Sequence, residues 1–335
     1  MSAKAQRVTG SLRRVSPRLL AATAAAACVL SGCGVLVRQA TIAYIAIYSE
    51  FSPKSIQIEI YNAFIAQFRN RISIHTALTV DKAMSNPVNG ALDGDLHFAG
   101  RAPQVALPIV AEIANAGRES TAVALVHQAE GTGVPLRVSG VWRIWPEHPG
   151  SATEDQGQPL SAFTSYKPDH VFEIHPITRI GDIPLLGTFV PIDGFKPGGA
   201  QRTFRIYEAA PCSLSVTPSG VRIVTSTGLY NDVEFIMTIL PEPQLVVADG
   251  RFVFASASDL DSNVLVKRLR MVFAKGTFPE LAVRHLRGGA RLHVYGIPRL
   301  DFEEISRRVH GSRSNAALLT LPLPYEMIIL GVYLK

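Results

Sequence analysis

The chain has 335 residues, of which 47% are hydrophobic and 18% charged, a balance too long for one typical domain and too apolar for a disordered chain. Its formal charge of +6 sits at the N-terminus. Residues 1–32 carry Lys4, Arg7, Arg13, Arg14 and Arg18 and no acid, which leaves 33 − 5 = 28 basic against 27 acidic residues, about +1, for the remainder and excludes the broad basic surface of a nucleic-acid binder.

Those basic residues run into the apolar, alanine-rich stretch from Leu19 to Leu30, the pattern of an export signal. The stretch ends in Leu30-Ser31-Gly32-Cys33, which resembles the lipobox of bacterial lipoproteins. The resemblance implies cleavage of a signal peptide at residues 1–32, lipidation of Cys33, and a place in the bacterial cell envelope, anchored to a membrane and facing outside the cytoplasm. Lipoproteins follow this cysteine with a polar linker, whereas Val35 to Val37 and Thr41 to Tyr48 are largely apolar here. An uncleaved anchor is the alternative, since Leu19 to Val37 is about long enough to cross a bilayer. Cys28 falls in the signal, so Cys212 is left alone, no internal disulfide can form, and a buried apolar thiol is expected.

Residues 33–71 form an N-terminal segment in which Ser52-Pro53 opens a predicted helix, with Ile56, Ile60, Phe64, Ile65 and Phe68 on one face. Over 72–181 the pattern predicts strands at 72–80, 95–101 and 105–114, a helix at 117–130, and strands at 136–145 and 170–180, separated by a Pro/Gly/Ser-rich loop at 146–168. Five strands with a helix between the third and fourth resemble an OB-like barrel. Residues 182–230 read as a linker with an extra hairpin. A second unit, 231–335, repeats the plan with strands at 251–257, 264–273, 291–300 and 325–334, a helix at 279–286 and a charged helix at 301–309.

The repeat is visible in the residues themselves. Leu136-Arg137-Val138-Ser139-Gly140-Val141-Trp142-Arg143-Ile144 recurs as Leu292-His293-Val294-Tyr295-Gly296-Ile297-Pro298-Arg299-Leu300, a spacing of 292 − 136 = 156. Sliding by that offset without a gap from Asp93 to Ile144 matches 12 of 52 positions, as expected of an internal duplication. The predicted fold is therefore mainly β with a few helices (α+β), as two tandem OB-like five-stranded barrels. Gly140 and Gly296 in mid-strand predict bulges or sharp corners, and the recurrence of Arg143 as Arg299 predicts a shared structural pairing.

The candidate ligand or metal patch is Asp95, His97, Glu112, Glu173 and His175. Strand alternation puts all five on the outer face of neighbouring strands, where they read as a solvated face, a binding surface, or a metal or acid/base site. At the offset of 156 their counterparts are Arg251, Val253, Arg268, Ile329 and Gly331, which confines any such site to the first copy. Trp142 shares parity with Val138 and Ile144 and reads as core, whereas Trp145 reads as outward and is the candidate ligand contact. Asp93-Gly94-Asp95 resembles the acidic start of staphylococcal-nuclease-like proteins, but Arg101-Ala102-Pro103 does not continue that pattern, and Asp93-Gly94 reads as a hairpin turn. Asp93 to His97 and Glu173 to Pro176 are similar to stretches of uncharacterised exported bacterial proteins, a likeness that brings no activity. No phosphate-cradling glycine loop, serine elbow, CxxC or HExxH occurs.

Two functions follow. The first is a membrane-tethered extracytoplasmic binding or envelope-assembly module that needs no cofactor, its partners being the membrane and another envelope protein or a small ligand. The alternative is a hydrolase assisted by a divalent metal on the first barrel. No catalytic residue is assigned.

Overall fold

The computed structural model describes residues 55–88, 92–148, 153–311, 318–320 and 322–334, so the lipobox-like stretch and Cys33 lie outside the described residues. The first element is a strand, β1 (Ser55–Tyr61), which buries Ile56, Ile58 and Ile60; α1 (Asn62–Phe68) follows and buries Phe64, Ile65 and Phe68. This corrects the predicted helix, which begins only at Asn62. Ile56, Ile60, Phe64 and Phe68 recur every four residues, a spacing compatible with both strand and helix periods, and Ile58 decides for the strand.

The first barrel comprises β2 (Ser73–Ala83), β3 (Leu96–Arg101), β4 (Ile109–Ile113), β5 (Leu136–His148) and, after the short β6 (Thr153–Asp155), β7 (His170–Ile180), with α2 (Ser120–Ala129) between β4 and β5. Its sheet order is β4-β3-β2-β5-β7, and a parallel β4–β7 pairing closes it. Leu78, Phe98, Ala111, Trp142 and Ile174 fill the interior. Gly140 stands at a register shift between β5 and β7, where an added Cβ would collide with Ile174 and the Pro176 carbonyl. The bulge needs a residue without a side chain.

After α3 (Ala200–Ala209), β8 (Cys212–Val216) and β9 (Gly220–Ser226), the second barrel repeats the plan. Its strands are β10 (Val233–Ile239), β11 (Gly250–Ser258), β12 (Val264–Ala274), β13 (Arg291–Leu300) and, beyond the short β14 (Leu318–Thr320), β15 (Tyr325–Val332). Helix α4 (Phe278–Val283) lies between its third and fourth strands, and α5 (Phe302–Gly311) follows β13. The order β11-β12-β15-β13-β10 is closed by β10–β11, with β12 and β15 parallel. Both barrels therefore share one topology, that of the OB-like plan.

A third sheet, ordered β14-β8-β9-β1-β6, draws strands from the N-terminal segment, the hairpin between the barrels and a loop of each barrel. Residues 182–230 thus do more than link: their hairpin is the centre of this sheet. The barrels meet through two arginines that bond reciprocally. Arg143 Nε donates to the Pro298 carbonyl at 2.8 Å, and Arg299 Nη1 donates to the Trp142 carbonyl at 3.0 Å, each being the carbonyl just before the other arginine. Asp249 Oδ2 adds a clamp by accepting from the Ile72 and Ser73 amides at 2.9 and 2.8 Å. Among the described residues no helix is long and apolar enough to cross a membrane.

Candidate functional site

The five sequence-predicted residues converge. His97 on β3 pairs across the ladder with Glu112 on β4, Arg143 on β5 pairs with Glu173 on β7, and the parallel β4–β7 register brings Glu112 beside His175. His175 Nε2 lies 3.2 Å from Asp95 Oδ2, and its Nδ1 lies 3.0 Å from Glu112 Oε2 and 3.8 Å from Glu173 Oε2. One donor atom each from Asp95, Glu112 and His175 falls within 4.8 Å of the others, so these three residues have the spacing to hold a metal ion.

The patch is interior, against the expectation of a solvated face. Asp95, His97, Glu112, Glu173 and His175 are 4%, 6%, 4%, 2% and 3% exposed. The segment between the barrels lies close over it: Asn115 Nδ2 donates to the carbonyls of Thr188 and Val190, while the Asn115 amide donates to Asp95 Oδ1 at 3.3 Å. Outward-facing strand positions were legible from alternation; what covers them depends on the chain between the barrels.

The charges are unevenly matched. Burial would raise Glu173, but Arg143 and His170 hold it well below the carboxylate range. Arg143 also donates to Glu147 at 3.1 Å and to Asn231 at 2.7 Å, and His148 Nε2 stands 3.0 Å from the second Glu147 oxygen. Asp95 and Glu112 are left to share His175. Burial raises the Asp95 carboxyl to about 6 despite that imidazole, and raises nearby Asp232 to about 8. His175 would be lowered by its own burial, yet Glu112 and Asp95 hold it well above the ordinary imidazole value. Both ring nitrogens of His97 are buried without a hydrogen-bond partner, the nearer lying 3.6 Å from Glu112 Oε1.

Alternation did not reveal His170, Asn231 or Asp232 as neighbours. His170 has the opposite parity to Glu173 and approaches it at 3.3 Å at the strand's start, while Asn231 and Asp232 lie in the chain just before the second barrel's first strand. Trp145, the candidate ligand contact, does not face outward. It is 1% exposed, donates from Nε1 to the Tyr230 carbonyl and meets Tyr207 edge-on at 5.3 Å. Trp142 is core as expected, stacked on Phe302 at 4.7 Å with Arg299 3.8 Å above its ring.

The ladders also correct the second copy's counterparts. Arg299 pairs with Glu326 as Arg143 pairs with Glu173, an offset of 326 − 173 = 153 on the last strand. Leu96 and Phe98 fill the first barrel, whereas Val253 and Ala255 fill the second, so β3 and β11 match one position away from the ungapped alignment. Phe252 pairs with Val272, which lies beside Ile328, as His97 pairs with Glu112 beside His175. The counterparts of Asp95, His97, Glu112, Glu173 and His175 are therefore Gly250, Phe252, Val272, Glu326 and Ile328. Arg251, Val253, Arg268, Ile329 and Gly331 sit elsewhere because insertions between strands shift the offset. Where the first barrel holds a charged centre, the second holds the apolar cluster of Phe252, Val272 and Ile328.

No known family model and no curated protein matches the chain.

Proposed function

We propose that the protein is a membrane-tethered extracytoplasmic module that binds a partner or supports envelope assembly, with no substrate turned over at its charged centre. One observation carries the non-catalytic reading: Asp95, Glu112, Glu173 and His175 are all nine-tenths buried or more. Hydrolysis requires room for a substrate and an attacking water beside the catalytic groups. Binding is left to the outer surfaces of the two barrels, and the partner is another envelope protein or a small ligand. The envelope address rests on the basic start, the apolar run from Leu19 and the lipobox-like Leu30-Ser31-Gly32-Cys33.

The test is fractionation of bacteria producing the full chain or its Cys33→Ser variant. The expected result is a lipid-modified chain in the membrane fraction and loss of both processing and attachment in the variant. An unprocessed chain in the membrane fraction, the same for both proteins, would replace the lipid anchor with an uncleaved one. The donor set of Asp95, Glu112 and His175 favours metal-assisted hydrolysis as a second reading. Turnover of p-nitrophenyl phosphate or a p-nitrophenyl ester by metal-treated protein, abolished in His175→Ala, would establish it instead.

A further inference from the structure

We propose that Asp95, Glu112 and His175, with His97 as the fourth donor, hold a divalent transition-metal ion at the buried face of the first barrel. The ion's role is structural, to bind β3, β4 and β7 together beneath the segment between the barrels. The inference is independent of the membrane tether.

Three observations carry it. The first is geometry. With bonds of roughly 2.0–2.2 Å, donors around a tetrahedral zinc ion stand about 3.4 Å apart. One donor atom each from Asp95, Glu112 and His175 lies within 4.8 Å of the others, and His97 Nδ1 stands 3.6 Å from Glu112 Oε1. Asp95 and Glu112 meet opposite nitrogens of the His175 ring, at 3.2 and 3.0 Å, so one nitrogen would face the ion and the other carboxylate would turn to meet it. Two imidazoles and two carboxylates suit zinc or manganese.

The second is His97. An imidazole buried without a partner for either nitrogen carries an uncompensated desolvation cost, and His97 leaves both unmatched while its Nδ1 lies 3.6 Å from Glu112 Oε1. A metal bond would satisfy one of them.

The third is the internal control. The same positions of the second barrel hold Phe252, Val272 and Ile328 in an apolar cluster. The fold therefore accepts apolar side chains at these positions, with the buried Arg270 stacked over Phe252 at 3.6 Å. Arg143 serves Glu173 and Glu147, so a divalent cation balances Asp95 and Glu112 where a single imidazole does not.

Metal analysis of full-length protein, extracted in detergent from cells grown with added zinc or manganese, tests this directly. The expected result is about one zinc or manganese ion per chain, retained through dialysis and removed by chelator on unfolding. Tm should fall after chelation and recover when zinc or manganese is added during refolding. His97→Gln should weaken the zinc response, and Asp95→Asn, which conserves volume, should abolish it. Wild-type protein that contains no stoichiometric metal, and whose Tm is indifferent to zinc, manganese and chelator, would overturn the proposal without reliance on any variant. A metal retained unchanged by both variants would overturn the residue assignment.

Discussion

Arg299 shows what one buried charge can organise. It bonds Glu326 at 2.6 Å, donates to the carbonyls of Ile72 and Trp142, and covers the Trp142 ring. Replacing it with methionine leaves Glu326 with Arg270 at 3.4 Å and frees the carbonyls, so Arg299→Met should cost about 3–5 kcal/mol in urea unfolding. Arg299→Lys should recover only part of that, because an ammonium cannot reproduce the planar fork. Cys212 is a second residue with a definite expectation. Its thiol is buried and burial pushes it up to about 11, so iodoacetamide should leave the Cys212 peptide unmodified in native protein and label it after unfolding. Labelling at the same rate in both states would contradict its placement. The buried thiol and the arginine pairing were both legible in the sequence, one from a lone cysteine and the other from its recurrence in the repeat. Trp145 was not: its parity is outward only for an isolated strand, and the covering residues Tyr207 and Tyr325 come from far along the chain.

The elements repeat this division. Strands with their own apolar alternation or repeated partners were predictable, and β7 and β13 occupy the expected 170–180 and 291–300. β1 was not, because a four-residue spacing of isoleucine and phenylalanine suits two periods and its partner, β9, is remote in sequence. Helix α4 is held by a local device. Thr277 accepts from the Glu280 amide, and the Glu280 carboxylate bonds Arg251 at 2.8 Å and Arg284 at 2.8 Å. Burial alone would raise Glu280, but the bonds from Arg284 and Arg251 outweigh it and hold the carboxyl at about 2. A lowered folded value contributes stability that is fully present above the ordinary 4.5 and lost as pH falls toward about 2. The Tm difference between wild type and Glu280→Gln should therefore be constant near neutrality and close across that interval. A difference independent of pH would contradict the pairing. Thr277→Ala should cost about 1 kcal/mol by removing the cap.

Across the whole molecule, duplication explains the two barrels and the arginines that join them, while divergence explains the one charged centre. The ungapped alignment exposed the repeat because it runs true through β5 and β13, but unequal lengths between strands moved the other pairs out of register. The cluster of Asp95, His97, Glu112, Glu173 and His175 could be named from strand parity alone. Its burial, its unbalanced charge and its apolar twin could not, since each depends on which residues the ladders place side by side. If the charged side chains are there to hold the structural ion and the fold does not need them without it, then giving the first barrel the second barrel's residues should leave a folded protein; replacing a buried ionic cluster with packed apolar side chains is often neutral or stabilising by about 1–4 kcal/mol.

The most direct measurement is thermal unfolding of the full chain carrying Asp95→Gly, His97→Phe, Glu112→Val and His175→Ile together, beside wild type, in metal-free buffer and after refolding with zinc. The account predicts a cooperative variant with a Tm at or above that of metal-free wild type and no response to zinc, while wild type rises with zinc. A variant that melts well below metal-free wild type, with wild type itself unmoved by zinc, would show that the charged centre is part of the fold and contradict the account.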